Sequence, residues 1–416
     1  MELKRVVVTG LGALTPIGNN IQEYWDALVS GKSGAGPITR FDASNFKTKF
    51  ACELKNFEVT DFMNRKEARK LDLYAQYAMV ATDEAIIDSG LDLEKINKNR
   101  VGVIWGAGIG GIDTFQTEVT NFATGNGTPR FNPFFIPKMI ADIAPGHISI
   151  KYGFRGPNFT TVSACASSAN AMIDAMNYIR LGKADIIVSG GSEAAATEAG
   201  IGGFNAMHAL STRNDDPQSA SRPFDANRDG FVLGEGAGTL ILEEYEHAIA
   251  RGAKIYAELA GGGLSADAHH MTAPHPEGLG AKLVMTNCIE DAGLSITDVD
   301  AINMHGTSTP LGDIAESKAI KSVFGDHAYN LNINSTKSMT GHLLGAAGAI
   351  EAIASILAMK HGIVPPTINH ETFDENIDNK LNLTLNKAQK RELNVVMSNT
   401  FGFGGHNACV LFKKLD

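Results

Sequence analysis

One cysteine lies where a strand is predicted to give way to a helix. Cys165 falls within FTTVSACASSANAMIDAM (159–176), in which residues 159–162 predict a buried strand and Ala169–Met176 predicts a helix. Unpaired N–H groups and the positive end of the helix dipole favour a thiolate at such a helix start, and the thiolate is the nucleophilic form. The alternative is a structural cysteine, because cysteine is among the most buried residue types.

Two histidines occupy similar junctions further along the chain. His305 begins HGTSTP directly after a predicted strand, and His342 lies in STKSMTGHLLGAAGA just before a predicted helix. Each histidine alone fits a hydrogen-bonded structural role, but the two together with Cys165 would supply a nucleophile and two imidazoles. No second ligand lies at short spacing from either, so we expect no metal there; a cluster of His269, His270 and His275 is a weak metal candidate.

The composition is that of a cytoplasmic globular protein. The 416 residues are 44% hydrophobic and 20% charged, enough for two or three domains or one large duplicated unit. A net charge of −10 argues against a general nucleic-acid binder. The four cysteines are widely spaced without a CxxC pair, which suits a reducing compartment. The apolar run Leu343–Met359 carries Glu351 and is short for a membrane span, so it predicts a buried helix.

The order of segments in the first half of the chain recurs in the second half. VGVIWG (101–106) corresponds to VDAINMHG (299–306), and ADIIVSGGSEA (184–194) corresponds to LNVVMSNTFGFGG (393–405). Strands that alternate with helices predict an α/β fold with mostly parallel sheets, duplicated in halves 1–252 and 253–416. Because polar groups collect where such strands end, we expect one shared site formed by Cys165, His305, residues 337–342 and residues 401–405.

Three further segments are predicted to lie at the surface. Residues 121–137 are rich in Asn, Gly, Pro and Phe and predict a long loop or lid, and residues 211–230 are polar and predict a largely exposed segment. Lys66, Arg69 and Lys70 share one face of a predicted helix that also holds Arg65. This basic cluster is either a docking patch for an acidic partner or a solvated helix face.

Five motifs carry a resemblance to a known family. The segments SACASS, HGTSTPLGD, NSTKSMTGHLLGAAGA, VPPTIN and SNTFGFGG resemble the β-ketoacyl-acyl-carrier-protein synthases of the elongating, synthase II type, and the likeness covers nearly the whole chain. The resemblance implies a homodimer with a thiolase-like fold, in which duplicated βαβαβ halves form an αβαβα arrangement of layers. It also implies a decarboxylative Claisen condensation of malonyl-acyl carrier protein with a cysteine-bound acyl chain in type II fatty acid elongation, without metal or organic cofactor.

The family resemblance also implies a role for each matching residue. Cys165 would carry the acyl chain, and its N–H with that of Phe403 would form the oxyanion hole. His305 and His342 would donate hydrogen bonds to the malonyl thioester oxygen and stabilise the enolate. Lys337 would support the histidines and pair with Glu351. The remaining residues of the implied site are those that bind substrate, Thr307, Thr309, Ile109, Phe204, Phe401 and Phe403, and those that dock the carrier protein, Lys66, Arg69, Lys70 and Arg130.

Two residues depart from the family pattern, and several related classes of protein can be compared with the sequence. His208 stands where arginine is frequent, which would weaken one docking charge or make it pH-dependent, and His406 stands where threonine is frequent. A thiolase would need a second cysteine in a glycine-rich turn, whereas Cys409 lies in the apolar NACVLF. Synthases that start from acyl-CoA use Cys–His–Asn, and chain-length subunits lack the cysteine. A ketosynthase of a specialised polyketide or aryl-polyene pathway remains the main alternative.

Overall fold

Ten of the strands form a single mixed sheet in the computed structural model, which describes residues 3–415. The sheet order is β10-β9-β13-β14-β8-β1-β7-β6-β4-β5, and β2–β3 and β11–β12 form separate pairs. The strands are β1 (Val6–Leu14), β2 (Gly36–Pro37), β3 (Phe50–Ala51), β4 (Val101–Gly106), β5 (Asn158–Thr161), β6 (Ile186–Glu193), β7 (Gly236–Glu244), β8 (Ala257–Ala266), β9 (Ala301–Asn303), β10 (Asn332–Asn334), β11 (Ile363–Val364), β12 (Gln389–Lys390), β13 (Val395–Gly402) and β14 (His406–Lys413).

The helices connect these strands and cover both faces of the sheet. Several begin and end as their residue types dictate: the Asn20 side chain accepts an N–H of the first helix, and that helix ends at Gly31 with φ of 71°. The helices are α1 (Ile21–Ser30), α2 (Arg65–Ala68), α3 (Leu73–Ser89), α4 (Ile112–Thr124), α5 (Phe135–Met139), α6 (Ile143–Tyr152), α7 (Ser167–Arg180), α8 (Glu198–Ala206), α9 (Tyr245–Ala250), α10 (Leu279–Asp291), α11 (Pro310–Phe324), α12 (Lys337–Thr340) and α13 (Ala347–His361).

The two halves of the sheet repeat one strand order. The first half has the order β5-β4-β6-β7-β1 across the sheet, and the second half has the order β10-β9-β13-β14-β8. If the five strands of each half are numbered along the chain, both halves have the same order, 3-2-4-5-1. The halves meet where β1 pairs with β8. The predicted boundary at residues 252 and 253 falls between α9 and β8, and the division of the chain there stays a prediction.

The expectation of mostly parallel sheets is wrong. In each half the three outer strands pair in parallel, but β6, β7 and β1 pair antiparallel, as do β13, β14 and β8. The physical reason is clearest at β13 and β14. A short turn joins them at residues 403–405, and a short turn can connect only antiparallel neighbours.

Helices α7 and α13 form the central layer of the molecule. They pack together between the two halves of the sheet in one continuous core, while α3 and α6 cover the first half and α10 and α11 cover the second. The stretch Leu344–His361 is long and apolar enough to cross a membrane by length and composition, and 89% of it is buried inside the protein. Its apolar surface is thus used in the core, as the sequence predicts.

Several local expectations need correction. The strand predicted to be buried at 159–162 is β5, the last strand of the sheet, and Val162 just after it is 64% exposed because no further strand covers that edge. The predicted loop at 121–137 is shorter, since α4 extends to Thr124 and α5 begins at Phe135, where aromatic rings stack between the two helices. The predicted basic helix is the single turn α2, which ends before Arg69.

The segment 211–230 is only partly at the surface. Arg228 is buried, where its guanidinium is paired with Asp374 at 2.7 Å and Asp313 at 3.3 Å. Arg222 is also buried and pairs with Asp229. These ion pairs and hydrogen bonds allow charged side chains of a polar segment to be buried, which the composition of the segment does not predict.

Candidate active site

A cavity of about 630 Å³ opens where strands of both halves end. The first half contributes the turn at Cys165, and the second half contributes the loops that follow β9 and β13. The cavity brings together the predicted nucleophile, both predicted histidines and every predicted substrate-binding residue: Cys165, His305, His342, Thr307, Thr309, Ile109, Phe204, Phe401 and Phe403.

Cys165 lies in a tight turn directly before α7. The preceding Ala164 has φ of 52°, a left-handed conformation that turns the chain sharply out of β5 and places the thiol at the cavity wall. Burial raises the pKa of the Cys165 thiol to about 12, although the Lys337 charge and the backbone N–H of Phe403 act to lower it. Burial therefore opposes the thiolate that the sequence predicts at this helix start, because the charged sulfur would lose its hydration.

His305 and His342 face each other across the cavity. Their ring centroids are 5.2 Å apart and the rings are nearly perpendicular, at 86°. Phe231 packs edge-on against His342 at 5.3 Å, and Phe401 lies 5.6 Å from His305. Burial lowers the pKa of both imidazoles well below 6.5, and the positive charge of Lys337 acts in the same direction. Both rings are therefore neutral at pH 7 and can donate hydrogen bonds without carrying charge.

Lys337 and Glu351 form a buried ion pair behind the histidines. Lys337 is the first residue of α12, Glu351 belongs to α13, and the ammonium donates directly to the carboxylate. Burial raises the pKa of Glu351 to about 7, while Lys337 lowers it. Neither side chain lines the cavity. The pair acts on the site through charge, since the positive charge of Lys337 opposes protonation of both imidazoles.

A buried carboxylate that sequence reasoning missed holds the His305 loop. Glu316 of α11 accepts the backbone N–H groups of His305 at 2.9 Å and Gly306 at 3.0 Å, and the Asn399 side chain at 3.1 Å. Burial raises the pKa of Glu316 to about 7. Nothing in DIAESKA marks this glutamate as buried, because its partners are backbone groups and a residue 83 positions away.

Two further contacts at the site were also missed. Asp267 accepts a hydrogen bond from the Asn407 side chain at 2.8 Å, and its own N–H donates to Gly405 at 2.9 Å, so the loop after β8 is tied to the glycine turn after Phe403. Glu193, at the end of β6, binds backbone N–H groups beside Ile109. The available signal was a charged residue at the end of the otherwise uncharged strand IIVSGGSE.

The predicted docking residues lie outside the cavity. Lys66, Arg69 and Arg130 are exposed, and Lys70 pairs with Glu67 at 2.9 Å. Of the two departures from the family pattern, His208 lines the cavity and His406 is exposed.

The histidine cluster in the loop after β8 shows no metal geometry. The rings of His269 and His275 are 5.0 Å apart, but residues 3–415 contain no group of three His, Cys, Asp or Glu side chains arranged to hold a metal ion. His270 accepts the N–H groups of Thr272 and Ala273 instead.

Comparison with known proteins gives one family over the whole chain. The model of the "Beta-ketoacyl synthase, N-terminal domain" matches residues 3–248, and that of the "Beta-ketoacyl synthase, C-terminal domain" matches residues 256–371. The "3-oxoacyl-[acyl-carrier-protein] synthase 2" of Synechocystis sp. is 49% identical over 414 residues, which are 100% of this chain and 99% of the relative.

Solved structures agree with this result. A β-ketoacyl synthase from Burkholderia phymatum superposes with a TM-score of 0.92 at 36% identity, covering 99% of this chain and 100% of that one. A type II PKS ketosynthase, solved in complex with its acyl-carrier protein, superposes with a TM-score of 0.90 at 34% identity, covering 100% of both chains.

The layered fold and the cavity between its halves define a thiolase-like condensing enzyme, which confirms the predicted fold class. With both domain models matched and a full-length relative at 49% identity, the chain belongs to the β-ketoacyl synthase family. The predicted family and enzyme class, an acyltransferase of the ketosynthase type, are thereby confirmed.

Proposed function

We propose that this β-ketoacyl synthase extends an acyl chain by two carbons, using malonyl-acyl carrier protein as the donor, as in type II fatty acid elongation. The observation that carries the proposal is the cavity that joins Cys165 to two neutral imidazoles, His305 and His342. A thiol can hold the acyl chain, and two uncharged donors can stabilise an enolate whose charge develops only during the reaction. No step of this chemistry requires a metal or organic cofactor.

The first half-reaction transfers the acyl chain to Cys165. The sulfur attacks the carbonyl carbon of the acyl-carrier thioester, a new C–S bond forms, and the carrier thiol leaves with the proton that the cysteine gives up. The backbone N–H groups of Cys165 and Phe403 form the oxyanion hole for the tetrahedral intermediate. The Phe403 N–H acts to lower the pKa of the Cys165 thiol, which supports this role.

The second half-reaction forms the carbon–carbon bond. His305 and His342 donate hydrogen bonds to the thioester oxygen of the malonyl group, the bond to its carboxylate breaks, and CO₂ leaves while the electron pair becomes an enolate. The enolate carbon attacks the acyl-Cys165 carbonyl, the C–S bond breaks, and the cysteine sulfur recovers a proton. Burial keeps both imidazoles neutral, and Lys337, held by Glu351, adds to this effect because its charge opposes their protonation.

The cavity walls suggest how the two ends of the substrate bind. Ile109 and Phe204 provide apolar surface for the acyl chain, and Phe401 and Phe403 close the other side. Thr307 and Thr309, whose hydroxyls lie 3.0 Å apart, provide polar groups for the phosphopantetheine arm.

An acyl carrier protein is the proposed partner, and Lys66, Arg69, Lys70 and Arg130 are its proposed docking residues. The superposable ketosynthase of a type II PKS was solved with its acyl-carrier protein, and basic side chains suit an acidic carrier. Changing Lys66, Arg69 and Lys70 to glutamate should weaken carrier binding most at low salt. The control makes the same charge change at exposed Lys380, Lys387 and Lys390. Equal affinity of both triple variants would contradict the docking role.

A homodimer is the proposed assembly. The edge strand β5 offers unpaired backbone groups, and Val162 and Ile109 are exposed beside it, so a second copy would cover an open edge and close the acyl pocket. Sedimentation at micromolar concentration tests this proposal, and a monomer there would contradict it.

Intact-mass spectrometry tests the function directly. The protein is mixed with acyl-carrier proteins of several chain lengths, and malonyl-carrier protein is then added. We expect an acyl adduct that disappears as a β-ketoacyl product two carbons longer forms, and Cys165→Ala should form no adduct. Saturated chains should be accepted, whereas adducts with polyketide or polyene chains alone would favour a specialised ketosynthase. The absence of any adduct would overturn the proposal.

A further inference from the structure

Glu193 is a fully buried carboxylate that accepts hydrogen bonds from four backbone N–H groups, of which that of Ile109 reaches both oxygens. It ends β6, and one oxygen accepts the N–H groups of Gly108 at 2.8 Å and Gly345 at 3.1 Å. The other oxygen accepts those of Ile109 at 3.2 Å and Gly110 at 3.1 Å. A carboxylate has about four acceptor positions when it is ionised, so this set can satisfy it without a cation. Burial raises the pKa of Glu193 to about 7, while the four N–H groups lower it. No step proposed above uses Glu193.

The three consecutive N–H groups belong to the loop that carries Ile109 into the acyl cavity. Gly110 has φ of 82°, a left-handed conformation, so the loop curls around the carboxylate. A Cβ on Gly108 would lie 2.7 Å from the Glu193 carboxylate, which shows how closely the loop approaches. Ile109 itself is 42% exposed, so side-chain packing alone does not hold it.

The fourth N–H group joins this loop to the other half of the molecule. Gly345 lies in the turn that starts α13, and a Cβ there would meet the Gly108 nitrogen at 2.2 Å and the Glu193 carboxylate at 2.8 Å. The neighbouring Leu344 lines the same cavity as Ile109. One carboxylate therefore sets the distance between two apolar parts of the wall, one from each half.

We propose that Glu193 is a positioning residue that holds the loop 108–110 against the turn at Gly345, and that it thereby sets the range of acyl chain lengths that the cavity accepts. The inference rests on the proposed function, because it assigns Ile109 to the acyl pocket. The carboxylate does not touch substrate, because its oxygens are occupied by backbone N–H groups and it does not line the cavity.

Glu193→Gln tests the proposal. The amide keeps the size of the side chain but replaces one acceptor oxygen by a donor, which faces N–H groups and must break at least one of the four contacts. We expect the ratio of acylation rates between the most and least favoured chain lengths to fall at least fivefold. Decarboxylation of malonyl-carrier protein should change less than twofold, because it depends on His305 and His342.

Glu84→Gln is the matched control. Glu84 is also a carboxylate that accepts two backbone N–H groups, from Ala13 and Ile21 at 2.8 Å each, but it does not line the cavity. Its variant should lose stability without a change in the chain-length ratio. The same change of ratio in both variants, or an unchanged ratio in Glu193→Gln, would overturn the proposal. An equal loss of all activities in Glu193→Gln would reduce Glu193 to a structural residue and would also contradict it.

Hydrogen exchange in the unaltered protein gives a second test that does not depend on a variant that folds. The Ile109 and Gly110 amides should be protected at least 100-fold, although Ile109 is exposed, because both are bound to Glu193. Exchange at the rate of a free loop would overturn the inference. If the unaltered protein forms no acyl adduct at all, the proposed function fails instead, and the exchange result still reports on the loop.

Discussion

The starts of α7 and α13 share one backbone geometry but have different residues at the equivalent position. Each helix follows a residue with a left-handed conformation, Ala164 with φ of 52° and Leu344 with φ of 46°, and then a single 3₁₀ turn. The next residue is Cys165 in the first half and Gly345 in the second. Cys165 lines the cavity, whereas the N–H of Gly345 is taken by Glu193.

This contrast teaches that a helix start is not a reactive site by itself. Both turns provide N–H groups at the positive end of a buried helix. In the second half an internal carboxylate fills this position, and the turn becomes part of the pocket's framework. In the first half no carboxylate takes that place, and the thiol faces the cavity with the Phe403 N–H beside it. The duplicated fold therefore uses one copy of the turn for the proposed chemistry and the other copy for support.

The largest expected effect separates what the two halves contribute. His342→Ala removes one donor to the enolate and should slow decarboxylation of malonyl-carrier protein about 100- to 1,000-fold, the range found when one oxyanion donor is removed. Acylation of Cys165 should continue, because the thiol and the N–H groups proposed for its oxyanion hole, those of Cys165 and Phe403, are unchanged. Separate assays of adduct formation and CO₂ release check this. The control His361→Ala removes a histidine that stacks on Trp25 outside the cavity, and it should change neither rate.

Loss of acylation with decarboxylation retained in His342→Ala would contradict the role proposed for His342.

The next effect concerns the ionisation of the Cys165 thiol in the turn before α7. Because burial raises the pKa of Cys165 to about 12, the thiolate fraction should grow about tenfold for each unit of pH from 7 to 9. Alkylation of Cys165 by iodoacetamide should follow the same slope, with the site identified by mass spectrometry and Cys165→Ala as the background. A rate that levels off below pH 9 would mean that the helix start does stabilise the thiolate.

The smallest effect tests the turn before α13, in which Glu193 accepts the N–H of Gly345. Gly345→Ala places a Cβ against the Gly108 nitrogen and the Glu193 carboxylate, so we expect a loss of about 1–3 kcal/mol in the free energy of unfolding, as for other overpacked sites. The control Gly146→Ala lies in α6 with open space around its Cβ, and it should add about 0.5–1 kcal/mol. Denaturant titration measures both values. Equal stability of the two variants would show that the turn at α13 is not tightly packed.

Much of the site could be predicted because its parts are local. The strand before Cys165, the strand at 101–106 and the apolar helix with Glu351 are visible in short segments of sequence, since each depends on the residue types within it. The duplication then indicated which strand ends would meet. The surface predictions were weaker. Arg228 became buried through partners far away in the chain, and β5 lost its expected cover because it lies at the edge of the sheet.

Periodicity and turn residues act over a few positions, so they were enough to predict the order of strands and helices, the repeat of that order, and which side chains lie at the strand ends. The charge of those side chains and the groups that hold them depend on the folded molecule. Burial opposes ionisation of the Cys165 thiol, and burial beside Lys337 keeps both histidines neutral. Glu193 and Glu316 gained their roles from backbone N–H groups brought to them by folding. Burial and long-range hydrogen bonds depend on the whole packed molecule, and no short stretch of residues records them.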